Sequence, residues 1–212
     1  MPLPRKLPAS LETDPKKMVE LLVGLPEVTV LGVVDEELLI DLHIETRRTP
    51  VGCPVCGVPA ELKGWREVVL VDLQVFGRPT RLHWHKRRLR CADGDCPNGS
   101  WTEEDRRIAA PRMKLTDRAG RWVTEAVGRQ VRTVNEVATT LGCDWHTVND
   151  AVLAYGGALV EHPGRFGALE ALGLDEVAFV RDGPFRVTQF STSIVDVAAG
   201  QLLDVVRGRG GA

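Results

Sequence analysis

Four cysteines in two pairs are the residues of this chain best suited to hold a metal ion. The first pair is Cys53 and Cys56, and the second is Cys91 and Cys96. Gly57 follows the first pair at once and allows backbone amides to turn toward the sulfur atoms. Zinc prefers four soft ligands in a tetrahedron, and such a closed site stabilises a fold without taking part in a reaction. The spacing therefore predicts one structural zinc ion.

Two other interpretations of these residues stay open. A disulfide is the first alternative, but the chain lacks an apolar secretory segment at its N-terminus, which indicates a cytoplasmic protein with reduced thiols. Replacement of one cysteine ligand by His83 or His85 is the second, although both are expected to be strand residues that face solvent or phosphate. Cys143 lies in a predicted helix, where a small thiol usually fills space.

The charge of the chain is unevenly distributed. The 212 residues are 43% hydrophobic with a formal charge of -2, which indicates a soluble chain of one to three small domains without a membrane span. Between Cys53 and Arg132, however, 16 Lys or Arg residues face 10 Asp or Glu residues. The cations expected to contact DNA phosphates in this region are Arg81, Lys86, Arg87, Arg88 and Arg90. The alternative is a solvated basic face without a partner.

Alternating apolar and polar residues predict strands on both sides of the first cysteine pair. Residues 28–34 and 38–44 form one predicted hairpin, and residues 66–75 and 80–89 form a second strand pair around a turn at Gly77. In the last of these strands Arg81, His83 and His85 alternate with Leu82 and Trp84, so one face is expected to be cationic while the other packs. Strands that return to paired cysteines are typical of a zinc ribbon.

Three predicted helices follow a polar connector at residues 101–111. Thr133 and Glu136 form a capping-box pattern, Gly142 is suited to end that helix, and Asp144 is suited to begin the next. This pattern predicts a helix-turn-helix that binds DNA, although any small helical bundle can show it. The residues expected to point outward are His146, Thr147, Asn149 and Asp150, with Arg129 and Arg132 nearby on the preceding helix.

The last segment reads as successive strands, and its first strand contains an acid. Asp175 lies between apolar residues, where an unpaired carboxylate would be costly. A metal-ligating acid is one interpretation, and a strand-end residue that faces solvent is the other.

The order of these features resembles the DDE transposases of the bacterial insertion-element family called IS-L-three. The most specific matches are Cys53-Pro-Val-Cys56-Gly57, Arg87-Arg88-Leu89-Arg90-Cys91 and Leu174-Asp175-Glu176. The resemblance implies a zinc ribbon and a helix-turn-helix that bind the terminal inverted repeats of the element, followed by a ribonuclease-H-like domain. In that domain three acids hold magnesium ions for strand cleavage and transfer, and Asp175 corresponds to the first.

The resemblance also implies that the catalytic domain is incomplete in this chain. The second and third acids would follow the third strand, but the sequence stops at Ala212 directly after it. We therefore expect a transposase fragment that binds double-stranded DNA. A second copy of the chain is a further candidate partner, in a homo-oligomer. Cleavage is expected only of the full-length protein. The alternatives are a zinc-dependent helix-turn-helix transcriptional regulator and a nuclease that takes its other acids from a second chain.

The expected fold class is α+β and multidomain. Residues 1–50 are predicted as an N-terminal helix and hairpin arm, 51–105 as the zinc ribbon, 110–160 as the helix-turn-helix domain, and 168–212 as the start of the ribonuclease-H-like domain.

Overall fold

The computed structural model describes residues 12, 14–25, 27–182 and 187–208, and the side chains of these residues except at 179–182 and 187–188. The first 11 residues of the predicted N-terminal arm lie outside this description. The chain divides after Gly157 into two compact units. The elements of the first unit are α1 Pro15–Val23, β1 Val28–Asp35, β2 Ile40–Thr46, β3 Ala60–Val75, β4 Arg78–Cys91, β5 Ser100–Thr102, α2 Asp117–Gly128, α3 Val134–Leu141, α4 Trp145–Ala151 and a π-helical segment, Val152–Gly156, that continues α4.

A mixed five-stranded sheet organises the first unit. Its order is β1-β2-β4-β3, with β5 paired to β4 beyond that path. The β1–β2 and β3–β4 pairs are antiparallel, as the two predicted hairpins required, whereas β2 and β4 run parallel. Strand β3 begins at Ala60, six residues before its predicted start, because an exposed two-stranded ribbon keeps polar residues on both faces and hides the apolar alternation.

One core lies against the sheet. Trp84, Ile44 and Leu82 are fully buried on its inner face, and Ile108 from the connector packs with them. The apolar residues of β2 and β4 share this face because side chains alternate along a strand and the two strands pair in register, Ile44 opposite Trp84. Helix α1 contributes Val23 to the same core.

Helices α2 to α4 enclose a second core, and each begins at a side-chain cap. Thr116 accepts from the Ala119 amide, Thr133 and Glu136 form a reciprocal capping box, and Asp144 accepts from the Thr147 amide. Helix α3 ends at Gly142, whose φ of 65° is left-handed. The buried side chains of this core include Leu115, Val123, Val137, Leu141 and Val148. The capping box at Thr133, the end of α3 at Gly142 and the cap at Asp144 were predicted from the sequence and are confirmed.

A buried carboxylate joins the sheet to the helices. Asp72 on β3 is fully buried, and it accepts hydrogen bonds from the Thr116 hydroxyl at 2.6 Å and from the Arg118 guanidinium through both carboxylate oxygens. Arg118 also donates to the carbonyl of Val23 at the end of α1. One guanidinium therefore ties β3 and α1 to the first turn of α2.

The second unit contains an antiparallel sheet of three strands, β6 Leu172–Asp182, β7 Val187–Asp196 and β8 Gln201–Arg207. Asp196 is buried and accepts from the amides of Ala198 and Ala199, which fixes the turn between β7 and β8. Large apolar side chains remain exposed on this sheet, among them Leu172, Leu174, Leu202 and Val205. The predicted ribonuclease-H-like identity of this unit stays a prediction.

Replacing Asp72 with Asn should destabilise the first unit by about 3 kcal/mol, because the substitution leaves Arg118 without its carboxylate at a buried position. Urea denaturation of the zinc-loaded protein measures this change. Arg121→Gln is the matched control, since it breaks an exposed i,i+4 pair with Asp117 and should cost no more than ~0.5 kcal/mol. Equal losses for the two variants would show that Asp72 does not join the two parts.

Candidate metal centre and nucleic-acid interface

The four predicted cysteine ligands meet at one point. Their sulfur atoms all lie within 4.8 Å of one another, with 3.7 Å between Cys53 and Cys96 and 3.4 Å between Cys56 and Cys91. Two sulfur atoms on a tetrahedral zinc ion with bonds of ~2.3 Å are separated by about 3.8 Å. A disulfide would require about 2.05 Å. The arrangement therefore fits a zinc tetrathiolate, and all five cysteines of the chain are free.

Two backbone turns and one strand pair position these sulfur atoms. Gly57, with a left-handed φ of 75°, donates its amide to the Cys53 carbonyl and closes the first turn. The second turn is closed where the Cys91 amide donates to Gly99. The β3–β4 pairing then sets Ala60, just after the first turn, opposite Cys91. The Asn98 side chain donates to the Cys53 sulfur at 3.6 Å, as groups around a metal ligand commonly do.

The clustered thiols differ in pKa. Burial raises the pKa of Cys53, but the amides of Cys56 and Val55 outweigh it and lower the pKa to about 6. Burial and the adjacent thiols raise the pKa of Cys91 to about 12, since crowded sulfur atoms resist a second charge. The pKa of Cys96 is also raised, by burial and by Cys56 and Cys53 against the opposing Asn98 amide. A divalent cation must therefore displace protons here, so its affinity rises with pH.

Two of the predicted DNA-contacting cations are engaged inside the protein. The Lys86 side chain is only 6% exposed and lies 2.6 Å from Glu104, above the ring of Trp84. The Arg87 side chain is 10% exposed and is bound to Glu103 at 2.9 Å. Both acids follow β5, which returns along β4 and brings them to these cations. The basic run therefore presents fewer charges to a ligand than its sequence indicated.

The other predicted ribbon cations lie at the surface of β4. Arg81 and Arg88 are exposed, and Arg90 is exposed but paired with Glu61 at 2.7 Å. Arg88 and Arg90 flank Leu89, which is buried, so both project from the side of β4 opposite to Leu89, close to the cysteine cluster.

The predicted contact residues of α4 divide into two groups. His146 and Asp150 are exposed and Asn149 is half-buried, whereas Thr147 is buried and its hydroxyl donates to Asp144 at 2.7 Å. The outward orientation expected for Thr147 is therefore wrong, because this residue faces Asp144, the cap of its own helix. The sequence alone did not show that Trp145 would stay 45% exposed beside His146.

The two cations predicted near α4 differ in their surroundings. Arg129 is exposed at the end of α2 and lies 3.5 Å from Glu125. Arg132 is half-buried, donates to the Thr140 hydroxyl at 2.7 Å and stacks over Trp122. Arg129 thus presents its charge to solvent, while Arg132 helps to join α2 to α3.

Asp175 lies on β6, exposed, with Ser193 of β7 opposite. Within the part of the chain that the structure describes, Asp175 belongs to no group of three potential metal ligands. Its proposed role as a magnesium ligand stays a prediction.

A cluster of histidines and acids was missed as a group. His43 and His83 stack with their ring centroids 4.4 Å apart, and His83 contacts Glu67 at 2.5 Å and Asp41 at 2.9 Å through its two ring nitrogens. His85 lies 3.2 Å from His43. The alternation of Asp41 and His43 with buried apolar residues in β2 marks them as outward-facing, but only the parallel β2–β4 pairing reveals that they meet His83.

Removing one thiol should abolish zinc binding at the cysteine cluster. We expect Cys56→Ser to lose one zinc equivalent per chain by elemental analysis, whereas Cys143→Ser should retain it, because Cys143 lies outside the cluster. In the unsubstituted protein, zinc affinity measured against a competing chelator should fall as the pH is lowered, since protons then hold the thiols. Retention of that zinc in Cys56→Ser would exclude the tetrathiolate.

The pKa of His83 should lie above the ordinary value of a histidine. Burial lowers its pKa, but hydrogen bonds to Glu67 and Asp41 outweigh this effect and raise it above 6.5. The resulting stabilisation of the folded state is present below pH 6.5, and it is lost as the pH rises through the pKa that His83 has in the folded protein. The hydrogen bond to His83 lowers the pKa of Glu67 from 4.5. The stability that ionised Glu67 contributes is therefore lost as the pH falls through this lowered pKa. NMR of the ring protons should show a lower midpoint for His83 in Glu67→Gln, and an unchanged midpoint would contradict the pairing.

None of the helices among the described residues has the length and apolar character of a transmembrane segment.

Comparison with known proteins assigns one part of this chain. Residues 49–96 match the family described as the zinc-finger of transposase IS204/IS1001/IS1096/IS1165. No curated protein and no solved structure matched. The matched residues contain all four clustered cysteines, whose geometry suits zinc. Residues 49–96 are therefore a zinc ribbon of the type found in ISL3-type transposases.

Proposed function

We propose that this chain is a transposase-related DNA-binding protein in which the zinc ribbon and helices α2 to α4 hold a duplex at the terminal inverted repeats of an insertion element. The observation that carries the proposal is the match of residues 49–96 over a cysteine cluster with tetrathiolate spacing. Zinc supplies the ribbon with a fixed fold, and the side chains around it supply the contacts.

The geometry of the helices supports a helix-turn-helix role. Helix α3 ends at the left-handed Gly142, and α4 begins two residues later at its cap, Asp144. In a helix-turn-helix the second helix enters the major groove with its N-terminal residues against base edges. In α4 that position is held by Trp145 and His146, both exposed. Thr147 instead holds the cap and is left out of the proposed contact set.

The charge of the surface supports phosphate binding at fewer points than the sequence indicated. Arg81 and Arg88 are exposed on the ribbon strand β4, and Arg129 is exposed at the end of α2. Cations at such positions fix the register of a protein on DNA, while base contacts specify the sequence. Lys86 and Arg87 stabilise the ribbon through Glu104 and Glu103 and are not assigned to DNA.

DNA cleavage is proposed to need further acidic residues close to Asp175, and the described part of the chain gathers no group of three potential metal ligands there. Two divalent cations on the attacking and leaving oxygens require several carboxylates. Asp175 would be the first of these acids by resemblance to the transposase family. DNA binding should therefore be independent of Asp175, and Asp175→Ala should bind as the unsubstituted chain does.

Fluorescence anisotropy with labelled duplexes tests the proposal. The zinc-loaded chain should bind an inverted repeat taken from the DNA that flanks its own coding sequence more tightly than a shuffled duplex. Affinity should fall steeply with salt, because bound cations release the counterions of the phosphates. Equal affinity for the two duplexes would refute sequence-specific binding, and preference for a promoter without repeats would favour a transcriptional regulator.

Two pairs of variants separate base contacts from phosphate contacts. His146→Ala should reduce the preference for the repeat, with a loss of about 1–3 kcal/mol on that duplex, whereas His162→Ala, an exposed histidine outside α4, should not. Arg88→Gln should weaken binding to both duplexes and reduce the salt slope by about one. Arg107→Gln is its control, since the Arg107 guanidinium already donates three hydrogen bonds to Asp105. Equal effects within either pair would contradict the assigned surface.

A further inference from the structure

The cluster of histidines and acids on the outer face of the sheet is separate from the cysteine site. His83 lies eight residues before Cys91 on the same strand, which corresponds to about 26 Å at ~3.3 Å per residue. Its neighbours come from three strands, with Asp41 and His43 on β2, Glu67 on β3, and His85 on β4. No ligand of the cysteine site belongs to this group.

The strand register brings these side chains together. His43 lies opposite His83 in the parallel β2–β4 pair, and Glu67 lies opposite His85 in the antiparallel β3–β4 pair. Because side chains alternate along a strand, these residues share the outer face, while Leu82 and Trp84 face the core. One potential ligand atom from each of His43, Glu67 and His83 lies within 4.8 Å of the other two.

The surroundings of the cluster have the features of a metal site. Two imidazole nitrogens and a carboxylate oxygen form a set that suits divalent zinc, cobalt, nickel or copper rather than magnesium or calcium. His83 contacts Asp41 through Nε2 at 2.9 Å while its Nδ1 faces Glu67. A carboxylate behind a histidine ligand orients the ring and increases its basicity. His85, 3.2 Å from Nδ1 of His43, orients the second ring.

We propose that His43, His83 and Glu67 bind a divalent transition-metal ion, and that Asp41 positions His83 for it. The ion takes the place of the proton between His83 Nδ1 and Glu67 Oε1, and this proton leaves to solvent. The other ring nitrogen of His83, Nε2, keeps its proton and donates it to the Asp41 carboxylate. Ligands from β2, β3 and β4 would then be cross-linked at one point, so the ion would hold the β1–β2 hairpin to the ribbon strands.

The exposure of the group suits an exchangeable ion. Glu67 has a side chain that is 47% exposed, whereas His83 and Asp41 are 19% and 14% exposed. The ligand Glu67 is therefore open to solvent, while His83 and the residue that positions it, Asp41, are largely enclosed. Three protein ligands also leave further coordination positions to water.

Metal counting on the full chain tests the proposal. Native mass spectrometry of the unsubstituted protein in excess Zn²⁺ should show two ions per chain. His43→Gln, His83→Gln and Glu67→Gln should each show one ion, which remains on the cysteines and reports that the ribbon is folded. His162→Gln should show two, since His162 lies outside the cluster. Asp41→Asn should retain the site with an affinity about 10- to 100-fold weaker.

Cobalt distinguishes the two sites by their ligands. Co²⁺ added to the protein with one zinc on the cysteines should give visible d–d absorption without thiolate charge-transfer bands, and His83→Gln should abolish it. A single ion in the unsubstituted protein would overturn the proposal. Retention of the second ion in His83→Gln, to the same extent as in His162→Gln, would overturn it too, because that result indicates non-specific uptake. Neither outcome bears on DNA binding, which is measured separately.

Discussion

The register between β3 and β4 is the constraint on which the sites of this protein depend. It sets Ala60 opposite Cys91 and thereby closes the two cysteine turns on one point. The same pairing directs Trp84 into the core and His83 to the outer face. A slip of one residue would move every side chain of β4 to the opposite face. The burial of Leu82 and Trp84 therefore holds the sulfur cluster and the histidine cluster in place together.

Three buried charged residues of the first unit are each paired with a partner inside the protein. Asp72 is fully buried and is satisfied by Thr116 and Arg118, so a polar connection joins two apolar cores. Lys86 and Arg87 are similarly matched by Glu104 and Glu103. In each case the partner comes from a distant part of the sequence. Burial of a charge is tolerated here because a partner neutralises it.

Local features were predictable from the sequence, and features that depend on long-range pairing were not. The cysteine spacing, the capping box at Thr133 and the left-handed Gly142 each depend on a few adjacent residues, and the structure contains all three. The burial of Lys86 depends on β5 returning along β4, which no local pattern encodes. The histidine cluster depends on the parallel pairing of β2 with β4, two strands that are not consecutive in the chain.

The hydrogen bonds of the Arg118 guanidinium constrain how the ribbon and the helices could bind one DNA duplex. It bonds at once to the carboxylate of β3 and to the carbonyl that ends α1, and it belongs to the first turn of α2. The ribbon strand β3 and helix α2 are thus connected by direct hydrogen bonds, so the two parts are held in a fixed relative orientation. On the proposed duplex, two recognition segments would have to keep a fixed helical phase. Inserting about 5 base pairs, half of the ~10.5-base-pair repeat, would turn one segment to the far side of the double helix.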